Sequence, residues 1–307
     1  MEYIRGTKRK TTMKTLIKLF IGVLSLGFVA CTDDDYNADT ANSPYEPTTL
    51  RAVAQVKTTN TIDGRNYSWE HNFSYDAKGR IREINSVMIH HRMVEFADVV
   101  RYYECKITSK ANYFYKGKKL EVAYSLTREY PDYPAWNTRE SDTDYGFFND
   151  RGVLERFSSL DFEYSTTQLQ KGYSDIGREY TIMRDASGNV IGFVCNDTSV
   201  DSLVVDKSYE YRYSDFRNKT NFDFSAYFGY WGVEQEIYAN RMQYYASYQL
   251  GAFGMLGATS GYLPKSMLGK NSNGEPLYLD GNWRFEDGYP VEFVDATGRK
   301  TVIEYVE

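Results

Sequence analysis

A short acidic stretch of the chain carries the side chains that could most readily do chemistry. Two facing carboxylates would suit a glycosidase, and several carboxylate oxygens would suit Ca²⁺. The stretch has no Asp-x-Asp-x-Asp-Gly calcium loop, and its many acidic residues make accidental proximity common. The acidic residues are Asp132, Glu140, Asp142 and Asp144, interspersed with Tyr130, Tyr133 and Trp136.

The three histidines do not form a metal site in the sequence pattern. His90 and His91 are adjacent in a strand-like run, so their side chains point to opposite faces of a sheet, and His71 begins another strand. The chain also lacks a Gly-x-Ser-x-Gly elbow, a His-Glu-x-x-His helix and a phosphate-binding glycine loop. We therefore predict no catalytic residue, no metal site and no cofactor, and a hydrolase is the third alternative.

The aromatic residues suggest non-covalent binding instead. The chain has 29 Tyr, 17 Phe and 4 Trp. Flat aromatic faces stack on sugar rings, while the same residues also build the cores of β-sheets. Both interpretations stay open for the candidate ligand-binding residues, which are Trp136, Trp231, Tyr244, Tyr248 and Trp283.

These residues belong to a chain dominated by a recurring hairpin unit. An alternating aromatic run leads into a turn rich in Asp, Asn and Gly, and a second alternating run follows, as in Tyr75-Asp76-Ala-Lys-Gly79-Arg80. The copies predict an all-β fold, a curled antiparallel β-meander of at least twelve and up to about sixteen strands, as an open or partly closed barrel. A two-sheet sandwich is the alternative. The copies lie at residues 73–84, 113–122, 147–154, 182–191, 283–293 and 293–303.

One segment interrupts this alternation. Residues 222–268 place apolar side chains at helical spacing, and Asp223 stands where it could cap a first turn. Gly251 and Pro264 oppose continuation of a helix. We predict a small helical insertion that covers one end of the curled sheet and could border a ligand pocket.

Several short motifs resemble a Bacteroidetes lipoprotein family of unknown function with a porin-like β-fold. The resemblance covers most of residues 51–307, and the hairpins are also similar to tyrosine–aspartate repeats of bacterial surface proteins. It implies a fold and a location, and the family carries no catalytic assignment to transfer to this chain. Because many charged residues would lie on the lipid-facing side of such a barrel, we predict no pore. The motifs are residues 75–80, Asn218-Lys-Thr-Asn221-Phe-Asp223, Gly261-Tyr-Leu-Pro264-Lys-Ser and Asp287-Gly-Tyr-Pro290.

The N-terminal region predicts a lipid anchor. Residues 1–30 read as a lipoprotein signal peptide, with a start at Met1 or Met13, and an apolar run leads to Ala30 and the lipid-accepting Cys31. An ordinary secretory signal is the alternative. Residues 32–35 are Thr-Asp-Asp-Asp, which resembles the acidic export tag of Bacteroidetes lipoproteins. We therefore expect an outer-membrane, lipid-anchored protein exposed at the cell surface, with the membrane as partner through Cys31.

Domain organisation and charge complete the prediction. Residues 31–50 form a flexible tether, and residues 51–307 form a single β-meander domain. Residues 1–30 hold six of the 36 basic and one of the 42 acidic residues, which leaves the remainder with a net charge of about −11 and argues against nucleic acid as a partner. Cys105 and Cys195 could form a disulfide or remain buried thiols.

We therefore predict a non-catalytic binding or accessory module for a glycan or peptide. The alternative is a carrier of lipid or another hydrophobic ligand inside a half-open barrel, for which a wide apolar cavity would be the signature.

Overall fold

The computed structural model describes residues 50–96, 99–158, 160–165, 168–174, 178–197, 204–228, 250–257, 259–270 and 276–307. Sixteen β-strands account for most of them. Among the described residues, no helix has the length and apolar character needed to cross a membrane.

Each strand pairs in antiparallel fashion with its neighbours in the sequence. The strands are β1 (Val53–Ile62), β2 (Arg65–Tyr75), β3 (Ile81–Phe96), β4 (Val99–Lys116), β5 (Lys119–Glu129), β6 (Thr138–Phe148), β7 (Leu154–Phe157), β8 (Leu160–Ser165), β9 (Gln168–Ser174), β10 (Arg178–Arg184), β11 (Val190–Asp197), β12 (Val204–Arg217), β13 (Tyr262–Lys270), β14 (Pro276–Glu286), β15 (Tyr289–Asp295) and β16 (Lys300–Tyr305).

The predicted curled antiparallel meander is confirmed, and the sandwich alternative is not found. The order of hydrogen-bonded strands returns to its start, because β1 pairs with β16 from Val53 opposite Tyr305 to Thr59 opposite Lys300. Strand pairing in the barrel wall is short at β7, which forms only two residue pairs with β8 and three with β6. The upper half of β6 therefore pairs with β5 but not with β7.

The two ends of the barrel differ. We call the end where an even-numbered strand leads to the next odd-numbered one the lower end, and the opposite end the upper end. At the upper end β3 and β4 pair as far as Phe96 opposite Val99, whereas the β2–β3 ladder stops at Ile89 and the β4–β5 ladder at Lys106. This hairpin therefore projects beyond its neighbours.

The lower turns share one geometry, which the Asp and Gly pattern of the sequence dictates. At the β2–β3 turn, the Asp76 carboxylate accepts hydrogen bonds from the amides of Lys78 and Arg80 at 2.9 and 3.0 Å. Gly79 supplies the positive φ of 75° that the turn requires. Asp185 and Asn149 hold the β10–β11 and β6–β7 turns in the same way.

Inward-facing tyrosines close the lower ends of five hairpins. Each lies near the end of an even-numbered strand and donates its hydroxyl to a main-chain carbonyl near the start of the preceding odd-numbered strand. Burial is the first cause that raises the pKa of all five phenols. The pairs are Tyr75 to Val53, Tyr115 to Ile81, Tyr164 to Leu154, Tyr213 to Val190 and Tyr305 to Pro290.

The helical insertion is confirmed in the described residues, but it is shorter than predicted, because residues 262–268 belong to β13. It comprises α1 (Phe224–Phe228) and a second helical piece that includes residues 250–252. Asp223 caps α1 as predicted, since its Oδ1 accepts from the amide of Ser225 at 2.9 Å. The helix lies within the core, where the Tyr227 hydroxyl contacts Thr58 Oγ1 of the barrel wall at 3.0 Å. Residues 229–249 lie outside the described residues.

Cys105 is a buried free thiol on β4. It is therefore not in a disulfide with Cys195, whose side chain lies outside the described residues.

Candidate functional site

A cleft of about 570 Å³ opens at the lower end of the barrel. It lies where the β2–β3, β4–β5 and β6–β7 turns converge on the helical insertion. Its lining comprises Tyr75, Gly79, Arg80, Ile81, Tyr115, Gly117, Lys118, Phe148, Asn149, Asp150, Gly152, Asn221, Phe253, Gly254 and Met255. The volume falls within the range of small-molecule sites in proteins.

The floor of the cleft is aromatic and held in place by the fold. Tyr75 donates to the carbonyl of Val53 at 2.7 Å, and burial raises its pKa to about 12. The ring of Phe253 meets that of Tyr75 edge to face at 6.2 Å. Tyr115 stacks on Phe148 at 6.2 Å between centroids. Because their hydroxyls are engaged, Tyr75 and Tyr115 present mainly ring surface to a ligand.

The rim of the cleft is charged. The Arg80 guanidinium lies 4.0 Å from the centroid of the Tyr115 ring and also pairs with Asp76, whose carboxyl pKa it lowers. Across the cleft, Lys118 forms an ion pair with Asp150 on the next turn. Both side chains of this second ion pair are exposed, so the pair contributes little stability. A ligand can therefore replace either partner at little cost in free energy.

This arrangement suits the binding of a ligand. Asp150 is the only carboxylate residue among the described lining residues, and it is paired with Lys118. A glycosidase needs two facing carboxylates, which the described lining does not provide. An aromatic floor with a charged rim instead fits an amphipathic ligand whose rings or apolar parts pack below and whose polar groups stay at the rim.

Trp136 lies at the upper end of the barrel, opposite the end where the cleft opens. It ends a 3₁₀ turn (Pro134–Trp136) in the β5–β6 loop. Its ring stacks on Tyr133 at 4.8 Å, meets Tyr103 and Tyr130 at its edges, and lies 5.4 Å from the Arg92 guanidinium carbon. Trp136 is thus half-buried in an aromatic cluster rather than an isolated platform.

Trp283 belongs to the core. Its indole N–H donates to the carbonyl of Pro264 at 2.7 Å, and its ring contacts Phe224 and Phe293 at 5.1 and 4.8 Å. The core interpretation of this residue therefore holds.

The structure describes two of the predicted site residues, Trp136 and Trp283, and places them in separate aromatic clusters. Cys31, Trp231, Tyr244 and Tyr248 lie outside the described residues.

Two carboxylates of the acidic stretch are engaged by neighbouring side chains. Glu140 is bound by Arg128, and Asp144 accepts a hydrogen bond from the buried Tyr124 hydroxyl at 2.8 Å. Asp132 is exposed. Within the described ranges, no group of three or more His, Cys, Asp or Glu side chains could hold a metal ion.

The carrier alternative would need open space inside the barrel. In the described part of the chain the lower interior is filled, because Phe222 packs against Phe73, Phe253 and Tyr227. A lipid chain there would have to displace these rings.

Sequence reasoning missed the charged rim of the cleft. Arg80 and Lys118 occupy turns that the sequence identifies, but their convergence depends on which hairpins become neighbours. The signal was the repeated turn pattern, since turns of successive hairpins lie at one end of a meander.

No family model matches the chain, and no curated protein matches it. Several solved structures match the chain. A porin-like protein from Bacteroides uniformis ATCC 8492 aligns over 84% of this chain and 100% of its own, with 10% identity and a TM-score of 0.40. A porin-like protein from Bacteroides vulgatus ATCC 8482 aligns over 83% and 99%, with 15% identity and a TM-score of 0.34. Likeness at this level carries no argument about function.

Proposed function

We propose that the protein is an outer-membrane lipoprotein, anchored through Cys31 and exposed at the cell surface, whose β domain binds a glycan or peptide without transforming it. The observation that carries the binding role is the lower cleft, with its aromatic floor and charged rim. The signal pattern before Cys31 and the acidic residues after it support the location.

The ligand class follows from the cleft surface. Tyr115 and Phe148 offer ring surface to a sugar or an aromatic side chain, and Asn221 offers an amide to polar groups. Arg80 and Lys118 can bind hydroxyl, carbonyl or carboxylate oxygens. A neutral oligosaccharide or a short peptide satisfies both surfaces, whereas a fully apolar ligand would leave the charged rim desolvated.

A pair of matched variants tests the cleft. Lys118→Trp places a large ring at the cleft rim, whereas Lys78→Trp places the same ring at an exposed position of the β2–β3 turn that is not part of the lining. The full chain, purified in detergent, is screened against oligosaccharide and peptide arrays, and hits are measured by calorimetry. We expect Lys118→Trp to weaken a hit at least tenfold and Lys78→Trp to leave it unchanged. Equal affinities in the two variants would refute the cleft as the binding site.

A separate experiment tests the anchor. Cells expressing the wild-type chain or Cys31→Ser are labelled with a palmitate analogue, fractionated and treated with external protease. We expect label, outer-membrane location and protease accessibility for the wild type and loss of label for Cys31→Ser. Label retained in Cys31→Ser would overturn the assignment of the anchor.

A further inference from the structure

Three buried side-chain nitrogens toward the upper end of β2 and β3 have no hydrogen-bond partner among the described residues. They are Nε1 of Trp69 on β2 and Nδ1 of His90 and of His91 on β3. The Trp69 and His90 side chains are only 5% and 7% exposed. The β2–β3 ladder sets Trp69 opposite Met88, two residues before His90, so the two side chains start from neighbouring positions on adjacent strands.

A buried polar atom of this kind needs a hydrogen-bond partner. An unpaired buried donor costs roughly 1–3 kcal/mol, and native proteins usually satisfy it with water or a ligand. The indole Nε1–H can only donate, so its partner must be an acceptor.

Two arginines lie close to the same place. Arg128 of β5 is bound by Glu140, and the charges of Arg128 and Arg92 both act on His90. Burial is the main cause that lowers the pKa of His90 to about 4, and the neighbouring His91 and Arg128 lower it further. His90 is therefore neutral near pH 7.

Arg92 forms no ion pair within the described part of the chain. Its guanidinium lies over the ring of Trp136 and hydrogen-bonds the neutral Tyr130 side chain. Arg92 is exposed at the rim, so solvent and ligands can reach it. Asp132 of the β5–β6 loop is exposed, and its charge acts on Tyr103.

We propose that this upper cluster, comprising Trp69, His90, Arg92, Arg128 and Trp136, binds a carboxylate or sulfate group of a ligand. The site is separate from the lower cleft and does not depend on its function.

Each member has a defined role in this binding. The Arg92 guanidinium can hold the two oxygens of the anion in a bidentate pair, which is the geometry that arginine prefers for such groups. Trp69 donates its indole N–H, and the neutral His90 can donate from Nδ1. Arg128 remains paired with Glu140, so the cluster keeps about one net positive charge for one anion.

The test uses two probes, sodium glucuronate for the carboxylate and sodium sulfate for the sulfate. The full chain in detergent is titrated with each by calorimetry. Arg92→Gln removes the charge from the cluster, whereas Lys106→Gln removes a charge from an exposed position on β4 outside it. We expect at least one probe to bind, with affinity about tenfold lower in Arg92→Gln and unchanged in Lys106→Gln.

Trp69→Phe gives a second measurement, since it keeps an aromatic ring and removes the N–H. Its affinity should fall several-fold, with circular dichroism confirming that it folds. Absence of binding by both probes up to about 10 mM, or equal affinity in wild type and Arg92→Gln, would overturn the proposal. Lys118→Trp should leave anion binding unchanged, which separates failure of this site from failure of the lower cleft.

Discussion

The hydroxyl of Tyr213 lies between the barrel wall and the helical insertion. It donates to the carbonyl of Val190 at 2.7 Å and is 3.0 Å from Oγ of Ser260. Ser260 in turn contacts Ser225 of α1 at 2.8 Å and donates its amide to Asp223 at 2.8 Å. One phenol thus connects the wall, the insertion and the helix cap.

Removal of this hydroxyl should destabilise the domain more than removal of a hydroxyl with one partner. We expect Tyr213→Phe to lower the free energy of unfolding by about 1–2 kcal/mol, because it removes a hydrogen-bond partner from two buried groups. We expect about 1 kcal/mol for Tyr305→Phe, whose hydroxyl donates to the carbonyl of Pro290. Urea unfolding measures both. The exposed Tyr145 supplies the control, since Tyr145→Phe should change stability by less than about 0.5 kcal/mol. An unchanged free energy of unfolding in Tyr213→Phe would contradict this account of the hydroxyl.

Two buried glycines should differ in their tolerance of a methyl group. A Cβ at Gly281 would lie 2.4 Å from the carbonyl oxygen of Val294 and 2.9 Å from Cα of Asp295, both backbone atoms that cannot rotate away. A Cβ at Gly146 would meet side-chain atoms of Leu154 and Phe157 at 2.8 and 2.9 Å.

We therefore expect Gly281→Ala to cost about 3 kcal/mol and Gly146→Ala about 1 kcal/mol in stability. Thermal or urea unfolding of the two variants measures the order. The reverse order would show that the sheet at Gly281 shifts more easily than the side chains around Gly146.

Acid should destabilise the domain partly through His71. This side chain is fully buried, its Nδ1 is 2.7 Å from Oγ of Ser86, and burial lowers its pKa to about 4. The unfolded value is about 6.5, so the unfolded chain binds the proton first as the pH falls. The stabilisation is complete above pH ~6.5 and is lost progressively toward pH ~4.

His71→Asn provides the comparison, because its amide can face Ser86 but does not titrate. Between pH ~7.5 and ~5 we expect the wild type to lose at least about 1 kcal/mol more unfolding free energy than His71→Asn. His90 titrates in the same window in both proteins, so its contribution cancels in the comparison. Parallel pH profiles for the two proteins would exclude His71 as a source of acid lability.

Local sequence chemistry predicted the hairpins well. Asp76 and Gly79 define a turn independently of the rest of the fold. The carboxylate hydrogen bonds and the positive φ involve only residues 76–80. The aromatic alternation likewise predicted the antiparallel meander. The extra residue after several lower turns was missed: Ser74 pairs with Glu83 but Tyr75 pairs with Ile81, and side-chain alternation alone does not locate such a bulge.

The candidate site was predicted less well, for a physical reason. Trp136 was chosen for its ring, and it does lie at an accessible rim, but its neighbours Arg92 and Tyr103 come from other hairpins. The same applies to the lower cleft, where Lys118 and Phe253 are far apart in sequence. Contacts of this kind depend on barrel curvature and on the packing of the insertion, which have no local signature.

The pairing of β1 with β16 has a kinetic consequence. Val53 of β1 pairs with Tyr305 of β16, so the outer edge of β1 stays unpaired until β16 has formed. Contacts so distant along the chain form slowly, because a long loop must close before the pairing contributes any stability. During synthesis, the growing chain therefore carries an unpaired strand edge until β16 has been made, and that interval is when chaperone protection matters most.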